Sequence, residues 1–208
     1  MTAPNFFTPL EPEKYRAICV DYPWKFSGGT KGRPQHYPRM TDAEIVATIP
    51  DLCALGHPDG FFLFFWISPP MFERFWTRYA PALRAQKVRY SSRGLLWGKL
   101  RPAAGVEGEP LFFMRDQLAM LHGYTTRKGS EDLLLFRRGR PKRQSAKVRE
   151  LMLAPTREHS RKPDGALERI EQFCGGPYAE IFSRSSRPGW DAFGDEAGKF
   201  DKQKENAT

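Results

Sequence analysis

Cysteine is scarce here. The 208 residues carry three cysteines, Cys19, Cys53 and Cys174. They are odd in number and far apart, which excludes a disulfide framework and fits buried thiols in a reducing, cytoplasmic compartment. The four histidines, His36, His57, His122 and His159, show no ligand spacing with one another or with the cysteines. No zinc site is expected. The longest apolar run, Phe61 to Ile67, is too short to cross a bilayer. The opening MTAPNFFTPLEPEK lacks the basic flank and apolar stretch of a signal peptide. There is no GxGxxG, no GxxxxGK[ST] and no GxSxG, so a hydride carrier, a nucleoside triphosphatase and an α/β-hydrolase are unsupported. No Cys/His pair stands out for covalent catalysis, and no internal repeat or low-complexity segment occurs.

What is present is a globular composition, 40% hydrophobic and 27% charged, of a length that suits one core. The net charge is +9. Arg137, Arg138, Arg140, Lys142, Arg143, Lys147 and Arg149 crowd into RRGRPKRQSAKVR, with Arg157, Arg161 and Lys162 beyond. A solvated loop needs no function; a polyanion partner is the alternative.

The punctuation alternates strand with helix. Residues 16–20 read as a buried strand. TDAEIVATI opens on Thr41 with Glu44 three residues on, a capping box, and predicts a helix of about two turns. Residues 61–67, FFLFFWI, read as a strand buried on both faces. SPPMFERFWTRYAPALRA reads as a helix, with Met71, Phe72, Phe75, Trp76 and Tyr79 on one face. Further strands are expected at 94–100, 132–138 and 178–184, and an amphipathic helix at 162–174. This pattern predicts an α/β fold, a mostly parallel sheet with helices on both faces. Residues 1–14 read as a loose arm and 198–208 as a polar tail. Residues 101–131, with a possible helical turn at 114–121, read as a candidate substrate loop.

Asp21-Tyr22-Pro23-Trp24 ends the first strand. Such a tetrapeptide is either a turn with a core tryptophan or a polar-aromatic clamp at the carboxyl end of a strand, where open α/β sheets bind ligands. A carboxylate there, with a backbone carbonyl, suits an aromatic amino group: accepting its N–H bonds localises a lone pair that the ring otherwise withdraws. Trp24 would offer a stacking face for a base.

DYPW at 21–24, GYTTRKGSEDLLLFRRG at 123–139 and REHSRKPDGALERIEQFCGGPYAEIFSRSSRPGWDAFGDE at 157–196, taken in this order, resemble the adenine N(6)-specific methyltransferases of the MT-A70 family, bacterial and phage members being closest in length. The resemblance spans roughly 15–197 and implies a Rossmann-like methyltransferase domain over those residues, with the catalytic motif ahead of the segment that binds S-adenosylmethionine (AdoMet). It implies catalytic roles for Asp21, Tyr22, Pro23 and Trp24, Tyr22 standing where the family has a proline. It places Lys162 at the carboxylate end of AdoMet, and Glu180, Arg184, Ser186, Arg187, Asp195 and Glu196 around the cofactor, with Asp21 beside it. Asp195 replaces the family's asparagine, and Thr125 its tryptophan. Tyr37, Lys99, Thr126 and Arg127 are the candidates for the adenine pocket, and Arg138 and Arg140 for phosphates. Tyr37 is equally readable as a surface residue, and Trp66 and Trp190 as core. DNA or RNA is the implied partner; a duplex would have to flip its base. A non-catalytic nucleic-acid-binding subunit and a methyltransferase for a small heteroaromatic remain the alternatives.

Overall fold

The computed structural model describes residues 5–25, 38–102, 117–121, 126–158 and 160–201. Its frame is a seven-stranded sheet. The strands are β1 (Ala17–Val20), β2 (Gly60–Ile67), β3 (Arg89–Leu100), β4 (Ser130–Gly139), β5 (Leu151–Pro155), β6 (Tyr178–Ile181) and β7 (Trp190–Phe193). Their order is β5-β3-β4-β2-β1-β6-β7. The two unbroken apolar runs take the centre: every residue of β1 and β2 is buried, as a strand covered on both faces requires. β1 pairs in parallel with β2 and β6, β6 with β7, and β3 with β5. β4 alone runs the other way, antiparallel to both β2 and β3. The sheet is thus mostly parallel.

Helix α1 (Asp42–Ala54) starts on the expected capping box, with the Thr41 hydroxyl accepting from the Glu44 N–H and the Glu44 carboxylate accepting from the Thr41 N–H. Such a cap is worth about 1 kcal/mol. The helix runs past Pro50, beyond the two turns expected. Proline withholds one N–H, but Ile45, Ile49, Leu52 and Cys53 carry the buried stripe through it, and that burial outweighs the lost bond.

The helical stretch after β2 changes pitch. A 3-10 turn (Pro69–Met71) leads to α2 (Phe72–Arg74), a π-helical stretch (Phe75–Tyr79) and α3 (Ala80–Ala85). The pitch tightens again just where Pro81 has no N–H to give. Met71, Phe75, Tyr79 and Leu83 are buried at four-residue spacing, while Trp76 turns out to solvent. Arg74, Arg78 and the Tyr79 hydroxyl all converge on Asp42, tying this stretch to the start of α1.

Side chains from α1 and from residues 71–83 share one core with Ile18, Leu63, Phe65 and Phe136. On the other sheet face, Ala166 and Ile170 of α4 (Asp164–Phe173) join Cys19, Phe62, Phe64 and Trp66. All three cysteines are buried and unpaired. Among the described residues no helix is long and apolar enough to cross a membrane.

Several expectations need correction. Strands β5 and β7 were not foreseen. The last expected strand stops at Ile181, because Phe182 adopts a left-handed φ of 61°. Leu118 and Leu121 form isolated bridges with Leu100 and Lys128, so residues 118–121 are not helical; Gln117 belongs to a 3-10 turn, and 114–116 lie outside the described residues. The arm is not loose from residue 5 onward. Phe7 is fully buried against Phe182 and Phe193, and Asn5 and Phe6 hydrogen-bond to Asp51. Phe200, inside the expected polar tail, is buried under the Arg161 guanidinium.

Candidate active site

Parallel strands that share a direction bring their carboxyl ends to one edge of the sheet, and a cleft of about 590 Å³ lies there. Asp21 to Trp24 follow β1, Ile67 and Ser68 end β2, Phe182 to Arg184 follow β6, and Gly194 to Glu196 follow β7. Glu131 enters from the start of β4, which reaches this edge because that strand is reversed. α1 covers one face of the sheet and α4 the other, the setting in which open α/β sheets bind ligands. Ser160 and Phe182, both lining the cleft, hold left-handed backbone conformations (φ 63° and 61°). Non-glycine residues adopt these at a cost, and they concentrate at functional sites.

The floor is a chain of alternating charge. Lys162 Nζ lies 2.7 Å from Asp21 Oδ2 and 3.1 Å from Glu131 Oε2. Lys99 Nζ lies 2.6 Å from Glu131 Oε1. Lys162 also sits over the Trp66 ring and Lys99 over Trp97. Burial lifts the Asp21 carboxyl above its ordinary range, though Lys162 pulls against it. Burial works against the charge of Glu131 too, but Lys162 and Lys99 together hold its carboxyl below the usual range. Burial would likewise lower Lys162; Asp21 and Glu131 outweigh it and keep the ammonium charged.

Tyr22, in the place of the family's proline, does not leave the turn slack. Its side chain is 1% exposed. The hydroxyl lies 2.8 Å from Thr48 Oγ1 of α1, and the ring stacks on Phe65 at 5.5 Å. The tyrosine fastens the turn to the core by its side chain, where proline would stiffen the backbone. The Met40 N–H donates to the Pro23 carbonyl and the Lys25 N–H to the Met40 carbonyl, closing the turn from the other side. Trp24 is 7% exposed and packs on Tyr79 and Phe65. Most of the stacking face expected of it is therefore taken up by the core.

Glu180 lies beside a smaller cavity with Ser186, Arg187 and Pro163. Burial raises its carboxyl to about 7. Ser183 Oγ is 2.7 Å from Glu180 Oε2 and 2.8 Å from the Ser185 carbonyl oxygen. One hydroxyl proton serves one of these. When it goes to Ser185, the Glu180 carboxyl must donate, which is what a protonated acid does.

Of the other expected residues, Arg184 ion-pairs with Glu196 at 3.1 Å, and both line the cleft with Asp195. Arg187 is held by both oxygens of Glu171 at 2.7 Å, and the Trp190 indole N–H donates to the same carboxylate. Trp66 and Trp190 are buried. Lys99 joins the charged floor through Glu131. Thr126 and Arg127 are exposed and do not line the cleft. Tyr37 and Thr125 lie outside the described residues.

Arg138 and Arg140 do not lie beside the cleft. Arg138 donates to the Cys53 and Gly56 carbonyls and lies over the Phe61 ring. The β4 register puts Arg138 opposite Phe61, at the amino end of β2, and Asp132 opposite Ile67, at the cleft end. Arg138 and Arg140 therefore belong to the edge away from the cleft.

Three participants were not foreseen. Glu131 couples the two lysines; its signal was an acid pair opening the apolar strand EDLLLF. Phe6, 47% exposed, and Asp51, whose carboxylate accepts the Phe6 N–H at 2.8 Å, form one wall of the cleft. Nothing in the first fourteen residues signalled a wall.

Fold and site thus define an α/β protein with a carboxylate-rich cleft at the carboxyl edge of a mostly parallel sheet. The model of the MT-A70 family matches residues 113–196, about two fifths of the chain. That span takes in β4, β5, α4, β6 and β7, and with them Glu131, Lys162, Glu180, Arg184, Asp195 and Glu196. It supports the MT-A70 family, and so a methyltransferase that uses AdoMet. It leaves Asp21 to Trp24 outside the match. No curated protein matches the chain.

Proposed function

We propose that the protein transfers a methyl group from AdoMet to the exocyclic N(6) amino group of adenine in nucleic acid, DNA ahead of RNA, on a Rossmann-like fold and in the cytoplasm. The observation that carries this reading is the Asp21 carboxylate at the cleft, with Oδ2 held by Lys162 at 2.7 Å and Oδ1 without a partner among the described residues.

The cleft suits the cofactor. Its lining holds six carboxylates against three cations, a balance that favours a ligand carrying a positive sulfonium. Ser68 Oγ is buried there with no hydrogen-bond partner among the described residues, a polar atom that calls for one. Lys162 would hold the carboxylate end with an N–H left over from its two ion pairs. Asp195 and Glu196 would accept from ribose hydroxyls. Bound there, AdoMet supplies an electrophilic methyl carbon.

The chain's own part is orientation. Asp21 Oδ1 accepts one N–H of the adenine amino group. The Tyr22 and Pro23 carbonyls each accept one backbone N–H already, from Trp24 and Met40, and each keeps a second lone pair for the other amino N–H. Two acceptors in a fixed turn aim the nitrogen lone pair, and holding it in line supplies much of the rate. The Tyr22 ring stacked on Phe65 and the Lys162–Asp21 pair keep those acceptors in place.

The test is incubation with isotopically labelled AdoMet and a mixture of unmodified DNA and RNA, followed by digestion to nucleosides and mass analysis. Labelled N(6)-methyldeoxyadenosine is expected, and its absence from the Asp21→Ala reaction. Full transfer by that variant would refute the assignment. AdoMet binding with no labelled adenine would shift the acceptor to another amine or require a partner subunit.

A further inference from the structure

Arg89 and Arg137 stand directly opposite one another in the antiparallel β3–β4 ladder. Like charges in that position destabilise a sheet. Arg137 also faces Phe62 across β2, and opposed residues share a sheet face, so both arginines lie on the α4 side. The carboxylates nearest in the ladder do not relieve them: Asp132 and Glu150 are both taken by Arg93. The basic loop that follows β4 folds onto the same surface. Its Gln144 N–H donates to the Phe173 carbonyl at the end of α4, Arg143 bridges to Cys174, and Arg169 of α4 donates to the Arg149 and Leu151 carbonyls. Among the described residues no carboxylate pairs with Arg89, Arg137, Lys142, Arg143, Lys147 or Arg149. Arg74, Arg157, Lys162 and Arg187 by contrast all hold carboxylates.

We infer that this surface is a binding site for a nucleic-acid phosphate backbone, separate from the cleft. Glu131 and Arg137 are six residues apart on one strand, about 20 Å at the usual rise. The cleft, rich in carboxylates, repels phosphates, and Arg39 is its one lining cation without an ion pair among the described residues. The nucleic-acid part of the proposed function, on which this inference rests, therefore needs its cations elsewhere, and they are here. A strand must run about six nucleotides at 3.4 Å each to reach from one site to the other.

The test is the anisotropy of a fluorescein-labelled 30-nucleotide DNA duplex titrated between 50 and 200 mM salt. The variant is Arg89→Gln/Arg137→Gln/Arg143→Gln, with its AdoMet affinity measured alongside. Losing three phosphate contacts should flatten the slope of log K against log salt by about 2.7, with the largest loss of affinity at low salt and AdoMet binding unchanged. Acetylation of the wild-type protein should be blocked by the DNA at Lys142 and Lys147, a readout that needs no variant to fold. Unchanged affinity and slope, or no protection at those lysines, overturns the inference. So does polyglutamate of equal charge displacing the DNA as well as unlabelled DNA does, which would assign the surface to an acidic protein. A wild-type protein that binds no AdoMet yet gives the expected slopes would refute the methyltransferase reading and leave this surface standing.

Discussion

Replacing Glu131 by glutamine removes the charge between two lysines and almost none of the volume. Lys99 and Glu131 are 11% and 18% exposed at their side chains, and Lys162 is 17% exposed. The floor holds Asp21 and Glu131 against Lys99 and Lys162, so its formal charges cancel; the substitution leaves one ammonium uncompensated. Lys162 keeps Asp21 as partner, but Lys99 has no other carboxylate among the described residues. Breaking a buried pair by removing one member costs about 3–5 kcal/mol, and the residual exposure argues for the lower end. For a chain of this size about 3 kcal/mol corresponds to a fall in Tm of about 6–12 °C. The assay is thermal unfolding followed by circular dichroism, on Glu131→Gln, on Lys99→Met and on the double variant. The double variant removes both charges of the broken pair, and it should recover most of the stability that Glu131→Gln loses. A single variant within 2 °C of wild type, or a double variant equal to the sum of the singles, would refute the picture of a buried, mutually dependent chain.

Two further outcomes follow from the geometry. The folded-state carboxyl of Glu180 titrates at about 7 against roughly 4.3 when unfolded. The native state then binds the extra proton between those values, so stability falls as pH rises through that window and is flat above it. Glu180→Gln should abolish that slope and be the more stable protein at pH 8, by at most about 4 kcal/mol, which urea unfolding at a series of pH values measures; an unaltered slope would mean another group titrates. Tyr22→Phe removes the 2.8 Å bond to Thr48 while keeping the stacked ring, and Thr48 retains the Ile45 carbonyl. The expected cost is about 1 kcal/mol, with the turn intact and methyl transfer close to wild type; a loss of more than tenfold in kcat would show that the hydroxyl, not the ring, positions the acceptors.

What could be read ahead of the structure followed the strength of the local signal. The capping box at Thr41 specified the start of α1, and the apolar runs at 17–20 and 61–67 specified β1 and β2, because burial on both faces leaves no polar alternation to misread. β5 was hidden behind the basic run, since LMLAP is short and opens on exposed Leu151. β7 contains Asp191, which pairs with Lys14 and Tyr15, so WDAF does not look like a buried strand. The arm reads as loose because partners for Phe7 lie near the far end of the chain, at Phe182 and Phe193. At the site, Asp21 and Lys162 were legible as motif residues, but their 2.7 Å contact across 141 positions was not. That Arg138 and Arg140 lie at the edge away from the cleft was not legible either, for a single physical reason. Composition and periodicity mark a strand but not its direction, and β4 runs against its neighbours.

That reversal has a consequence for how this fold tolerates change. β3 ends at Leu100 and β4 begins at Ser130 on the same rim of the sheet, so the polypeptide between them departs from and returns to the mouth of the cleft. Such a connection behaves as an exchangeable cassette. Its closure entropy grows by only about 0.6 kcal/mol for each doubling of length, and its described residues meet β3 at that strand's last residues, where Leu118 bridges Leu100 and the Ala119 N–H donates to the Lys99 carbonyl. A longer or shorter connection between these two anchor points therefore costs the fold little, while the charged floor stays as it is.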